Sequence, residues 1–281
     1  MKKRNIMYIS ISIICVISII LGVYYQMFAG KVIDEGAVNE IENTVGDTDV
    51  ENPSDLIDEF NKLFDNKFNK QGFSTDEITK IAGLESQDVI YVAYDIKKED
   101  EEKYSIDIKL PVFNVAGDIP SEFNSRTQSI FANKASSILT TATKYTIYNI
   151  EYTAYLNENI LSLVIKATLK EGNSAQRTIV QAYNYDILSK SKVTLNDVLE
   201  DREIDKKEVN KKIETQVKEA ARQAEMISEA TGQIVYKRDL NNAMYLTENA
   251  TNFFLGKDGQ IYIVYAYGNN NVTSEIDIIK L

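Results

Sequence analysis

Glu275 and Asp277 stand two positions apart near the C-terminus, in the run Glu-Ile-Asp-Ile-Ile-Lys-Leu. On a β-strand, alternate residues share one face, so these two carboxylates point the same way. Carboxylates are the acid–base groups this chain has in supply, because it contains no histidine and its one cysteine, Cys15, lies in an apolar run. Triads built on histidine are therefore excluded, as are histidine zinc sites, and no cofactor is expected. A carboxylate pair can cleave glycosides when its members sit at the right separation, which spacing in sequence cannot supply. The plainer expectation for Glu275 and Asp277 is a solvated strand face. No catalytic motif is present, and an enzyme is not expected.

The second candidate set is aromatic. Tyr262, Tyr265 and Tyr267 crowd one short segment, and Tyr183 and Tyr185 flank an asparagine in another. Phenolic rings can stack on sugars or anchor a protein partner. The same rings can equally pack in a core or on a sheet face. The candidate partner-binding residues are thus Tyr262, Tyr265, Tyr267, Glu275 and Asp277. Gly-rich phosphate loops, metal-ligand spacings and basic nucleic-acid patches are missing.

These groups must be positioned by elements that the apolar pattern reveals. Residues 6–28 carry no charge and are dominated by Ile, Val and Leu, long enough to cross a bilayer as a helix. Lys2, Lys3 and Arg4 precede them and acidic residues follow, which places the N-terminus in the cytoplasm and the bulk of the chain outside. The run is longer than a signal peptide's apolar region and ends in bulky residues, so an uncleaved anchor is expected. The expected organisation is a cytoplasmic tip (1–5), a transmembrane helix (6–28), an acidic linker (29–53), a helical segment (54–88), and two α+β halves (89–182 and 183–281).

Within the outer part, Asn52-Pro53 reads as a helix start, with Leu56, Phe60 and Phe64 on one stripe. Residues 89–96 and 104–110 read as paired strands, and 118–139 as a helix. Three alternating strands follow, joined by Asn157-Glu158-Asn159 and Glu171-Gly172-Asn173; Leu161, Leu163 and Ile165 should share the buried side. Asp205 with Glu208 resembles a capping box opening a long helix that Gly232 closes. A final β-hairpin runs through Gly256-Lys257-Asp258-Gly259. Short turns imply antiparallel pairing. The expected fold is α+β, antiparallel sheets with packed helices, preceded by one transmembrane helix.

Two blocks, Leu156 to Leu199 and Phe253 to Gly268, resemble the extracytoplasmic domain of RsiV, the lysozyme-sensing anti-sigma factor. The likeness lies in a hairpin, a Tyr-Asn-Tyr-Asp strand, a Thr-Leu-Asn-Asp helix start, a charged helix and a final aromatic hairpin. It spans roughly residues 104–281. The same domain type accompanies wall deacetylases and occurs in other anchored bacterial proteins. It implies a ligand-sensing or ligand-binding module. Only Met1–Asn5 precedes the apolar run, so anti-sigma activity is not expected. The net charge is -11, or -14 without the three leading cations. That sign favours a cationic partner, such as a lysozyme-like protein, and disfavours nucleic acid. Peptidoglycan is the alternative partner, through the tyrosines. Oligomeric state is left open.

Overall fold

The computed structural model describes residues 50–70, 88–269 and 271–281. The expected cytoplasmic tip, transmembrane helix and nearly all of the linker lie outside these residues. Among the described residues, no helix is long and apolar enough to cross a membrane. The described residues fall in one compact unit.

Helix α1 (Pro53–Lys62) starts as the sequence dictates: the Asn52 side chain accepts the Ser54 N–H, and Pro53 fills the first turn, where its missing N–H costs nothing. A short strand β1 (Phe68–Lys70) follows. Strands β2 (Ile90–Asp100) and β3 (Tyr104–Phe113) form an antiparallel hairpin. The chain then crosses over through α2 (Asp118–Thr127), a π-turn (Gln128–Ala132) and α3 (Asn133–Thr141). That crossover returns it to the end from which β3 began, so β4 (Thr146–Asn157) runs parallel to β3. Strand β1 also lies parallel to β4, along Ala154–Leu156, past the stretch that pairs with β3. The expected antiparallel pairing holds for the hairpins and for the small sheet, and the large sheet is mixed: a helical crossover joins β3 to a parallel β4, which turn-based reasoning does not read.

Strands β5 (Ile160–Glu171), β6 (Arg177–Asp186) and β7 (Ser191–Lys192) complete a seven-stranded sheet with order β2-β3-β4-β5-β6-β7. The expected division at 182/183 falls inside β6. Helices α4 (Leu195–Asp201) and α5 (Lys206–Thr231) lead to a second sheet. It holds β8 (Phe253–Leu255), β9 (Ile261–Tyr267) and β10 (Glu275–Lys280), in the order β10-β9-β8.

Four layers result. Phe123, Phe131 and Ile138 of the crossover pack on Ile108, Tyr148 and Ile165 of the large sheet. On the opposite face, Val164 and Val180 meet Phe60 of α1 and Phe254, Val264 and Ile278 of the small sheet. The small sheet's far face, Ile263, Tyr265 and Ile279, meets Leu199, Val209, Ile213 and Val217. Strand β5 is therefore buried on both faces from Leu161 to Ala167, where the sequence pattern points to one.

Polar side chains tie the two sheets together. The Asn184 amide donates to the Phe253 carbonyl (2.7 Å), Ser162 Oγ donates to Asn184 Oδ1 (2.6 Å), and the Leu255 N–H donates to Ser162 Oγ (3.1 Å). Asn157 donates to the Gly256 carbonyl at 3.0 Å. The outer edge of β8 thus receives side-chain hydrogen bonds where a neighbouring strand would stand, and its buried backbone groups are satisfied.

The helix ends differ from expectation in one respect. Asp205 caps α5 by accepting the Lys207 N–H, and the reciprocal capping box forms one helix earlier, between Thr194 and Asp197. Gly232 closes α5 in the left-handed region, φ 71°. Glu51 and Asn52, assigned to the linker, dock on α5: Gln216 donates to the Glu51 carbonyl and Gln223 to the Asn52 side chain.

Candidate functional site: a groove beside a buried arginine

After Gly232 the chain turns back across the start of β10. There the Tyr236 N–H donates to Glu275 Oε1 (2.7 Å). Arg238 Nε and Nη2 donate to the two Asp277 oxygens, both at 2.8 Å, and Nη1 lies 3.0 Å from Glu275 Oε2. The side chains of Arg238 and Asp277 are only 4 % and 2 % exposed. The solvated face expected for Glu275 and Asp277 is therefore corrected: the strand alternation holds, but both carboxylates turn onto one guanidinium. Planar, bidentate pairing is what makes so dry an ion pair tolerable. Burial draws the Arg238 pKa down. The hydrogen bonds and charge of Asp277, with the charge of Glu275, more than offset that, so the group is held charged.

The aromatic set divides. Tyr267 stacks on Tyr236, with centroids 5.1 Å apart, and its ring lies 5.1 Å from the Arg238 guanidinium. Tyr265 meets Tyr245 edge-on. Burial, then the Asp277 charge, pushes the Tyr267 phenol far above its ordinary range. Tyr262 faces the other way, into the layer between the sheets. It stacks on Phe254, and its hydroxyl donates to Glu59 Oε1 (2.7 Å). Tyr183 and Tyr185 belong to the core under the crossover helices. All five rings are buried, so they offer no exposed stacking platform. Three of the five candidate residues, Tyr267, Glu275 and Asp277, meet Arg238; Tyr265 lies opposite Asp277 in the strand register, and Tyr262 lies on the other side of the sheet.

Glu59 also accepts from Lys280 Nζ at 2.7 Å and 3.0 Å, tying α1 to β10. The hydrogen bond from Lys280, then that from Tyr262, holds its pKa below the usual carboxylate value. A depressed carboxylate stabilises the fold above its unfolded pKa and loses that contribution as pH falls through the folded value. The stability difference between wild type and Glu59→Gln is therefore expected to be full at pH 7 and to shrink below about pH 4.5, close to the unfolded value. Urea midpoints at pH 7 and pH 3 measure it.

Above the Arg238 cluster opens a groove of about 950 Å³. Helix α1 contributes Ile57 and Asn61, the end of α5 Gln223 and Ile227, and the returning segment Ile234. The large sheet supplies Lys166, Thr168 and Thr178. Ile227 and Ile234 are 51 % and 77 % exposed. Ile227, in the last turns of α5, faces this groove. The lining cations are already engaged: Lys166 pairs with Glu151 (2.7 Å) and Asn61 Oδ1 (2.8 Å), and Arg238 with its carboxylates. Among the described residues, no aromatic ring lines the groove. Aliphatic surface interleaved with amides and hydroxyls suits a polypeptide segment. The carboxylates held by Arg238 are not free for acid–base work. Among the described residues, no cluster of His, Cys, Asp and Glu could hold a metal ion.

Arg238 is the residue that sequence reasoning missed. It lies in no periodic element, and nothing in its spacing ties it to an aspartate 39 residues later.

No family model matches the sequence, and no curated protein matches it. Among solved structures, the chain is similar to crystal structures of DUF3298-family proteins. One is from Bacteroides fragilis, with 13 % identity and a TM-score of 0.32, covering 63 % of this chain and 80 % of that one. Another is from Pseudomonas aeruginosa, with 12 % identity and a TM-score of 0.34, covering 67 % and 85 %.

Proposed function

We propose that this chain is an extracytoplasmic binding module of the RsiV-like type. Residues 6–28 hold it in the membrane with the N-terminus in the cytoplasm, and its groove receives a segment of a cationic protein. The observation that carries this reading is the pair of isoleucines, Ile227 and Ile234, left exposed on the walls of an amide- and hydroxyl-lined groove. Apolar side chains gathered around a concave surface with convergent polar groups are a recurring feature of binding sites. The charge of -11 draws a basic partner and acts mainly on encounter rate, fading with salt. Affinity then resides in the groove.

The test uses the full chain in detergent micelles, titrated with lysozyme and, separately, with polylysine. Ile227→Asp and Ile234→Asp are each expected to weaken lysozyme binding about tenfold, since each removes an apolar contact worth roughly 1.4 kcal/mol or more. Polylysine should bind weakly and insensitively to either change. Lysozyme binding that ignores both variants, or that polylysine matches, sinks the groove reading.

A further inference from the structure

We propose that two copies of this chain pair through the outer edge of β2, as antiparallel strands related by a two-fold axis at Ile96. Among the described residues, no strand pairs with that edge. Exposed edges are usually blunted by charge, and β2 carries Asp95, Lys97, Lys98, Glu99 and Asp100. What matters is how those charges are arranged.

The backbone decides which residues can pair. The Lys103 N–H donates to the Asp100 carbonyl at the hairpin turn, and the Lys103 carbonyl accepts from Thr146 of β4. Odd residues of β3 therefore direct their backbone groups to β4, and even residues direct theirs to β2. With the register Lys97↔Asp107 and Ile96↔Ile108, the even residues of β2 bond to β3. Asp95, Lys97 and Glu99 direct theirs outward. An antiparallel partner must match odd to odd.

Three registers near the middle of the strand satisfy that. Centring on Asp95 sets aspartate against aspartate, and centring on Lys97 sets lysine against lysine. Centring on Ile96 sets Asp95 against the second copy's Lys97, twice, and Ile96 against itself. Within each copy, Lys97 already lies 2.9 Å from Asp107, and Lys109 lies 2.5 Å from Asp95. The pairing extends these into a row of alternating sign: Asp107, Lys97, then Asp95 and Lys109 of the second copy. Ile96, half-buried on the helix side against the core, gains an apolar neighbour across the axis. Like charges penalise the neighbouring registers, so the same residues that blunt other partners select this one. The irregularity between Val92 and Tyr94 flips the backbone alternation, which limits the ladder to about four main-chain hydrogen bonds around the axis. Such a short interface is reversible and concentration-dependent.

Sedimentation velocity of the full chain in detergent micelles tests this. Wild type is expected to associate into dimers as concentration rises. Asp95→Lys and Lys97→Asp should each remain single-copy, with far-UV circular dichroism confirming the fold. Mixed together, the two variants should restore the dimer, because each then meets an opposite charge. A wild type that stays single-copy up to about 0.1 mM, single variants that still dimerise, or a mixture that does not associate overturns the proposal.

A second measurement needs no charge change. In a Cys15→Ser background, Ile96→Cys is a non-hydrogen-bonded pair across the axis, about 4.5 Å between Cα atoms, within disulfide reach. It should cross-link on oxidation. Lys98→Cys, about 13 Å from its twin along the strands, should not. Equal cross-linking at both positions, or none at Ile96→Cys, rejects the two-fold.

Discussion

Replacing Arg238 with methionine is expected to cost about 3–5 kcal/mol of stability, the usual penalty for stranding a buried charge. The side chain of Asp277 is 2 % exposed, and its two oxygens take their hydrogen bonds from Arg238. Without the guanidinium, Asp277 must stay ionised in a dry site or take up a proton. Glu275 loses a partner at the same time, although its bond from the Tyr236 N–H remains. The ring of Tyr267 loses the cation it faces. The triple variant Arg238→Met/Glu275→Gln/Asp277→Leu should recover much of the loss, because the charges leave together. Chemical denaturation of the three proteins distinguishes the possibilities. A loss under 1 kcal/mol for the single variant would mean that water reaches the pair.

Phe60→Ala is the second large effect, expected at about 3–5 kcal/mol for a fully buried aromatic side chain. Phe60 is 0 % exposed. It meets Phe64 edge-on at 5.0 Å and Phe254 at 6.2 Å, and Lys166 approaches its ring at 5.9 Å. It therefore seats α1 against both sheets. The same helix carries Ile57 and Asn61 into the groove. Partner binding should weaken along with stability, even under conditions where the chain remains folded. Measuring both in one titration tests whether α1 is part of the binding surface or only a support for it. Full binding by a destabilised variant would separate the two roles.

Local elements were legible because local rules set them. Asn52-Pro53 starts α1, Gly232 ends α5, and the Asn157 and Glu171 turns fall where expected. The α+β class followed from the same patterns. The β3–β4 pairing was not legible, because direction depends on where the crossover delivers the chain, which no window of sequence contains. Lys166 and Asn184 sit in strands whose alternation looked half-buried, yet both sheet faces are covered there. In the site, strand alternation correctly placed Glu275 beside Asp277. Their environment was set by Arg238, which arrives from a segment without periodicity. The tyrosines of β9 were legible as one cluster in sequence, and alternation along the strand sends Tyr262 to one layer and Tyr265 and Tyr267 to the other.

The side-chain bonds that hold the edge of β8 bear on the order of folding. Ser162 and Leu255 are 93 positions apart, and Asn157 and Gly256 are 99. Contacts so distant along the chain form late, after the nearby hairpins have paid their loop-closure entropy. During synthesis the large sheet emerges first, and the apolar face bearing Val164 and Val180 has only α1 to cover it until the last thirty or so residues leave the ribosome, given domain-wise folding from the N-terminal side. The C-terminal hairpin therefore acts as the closing step of folding, and a chain truncated before it would present that face to whatever lies nearby.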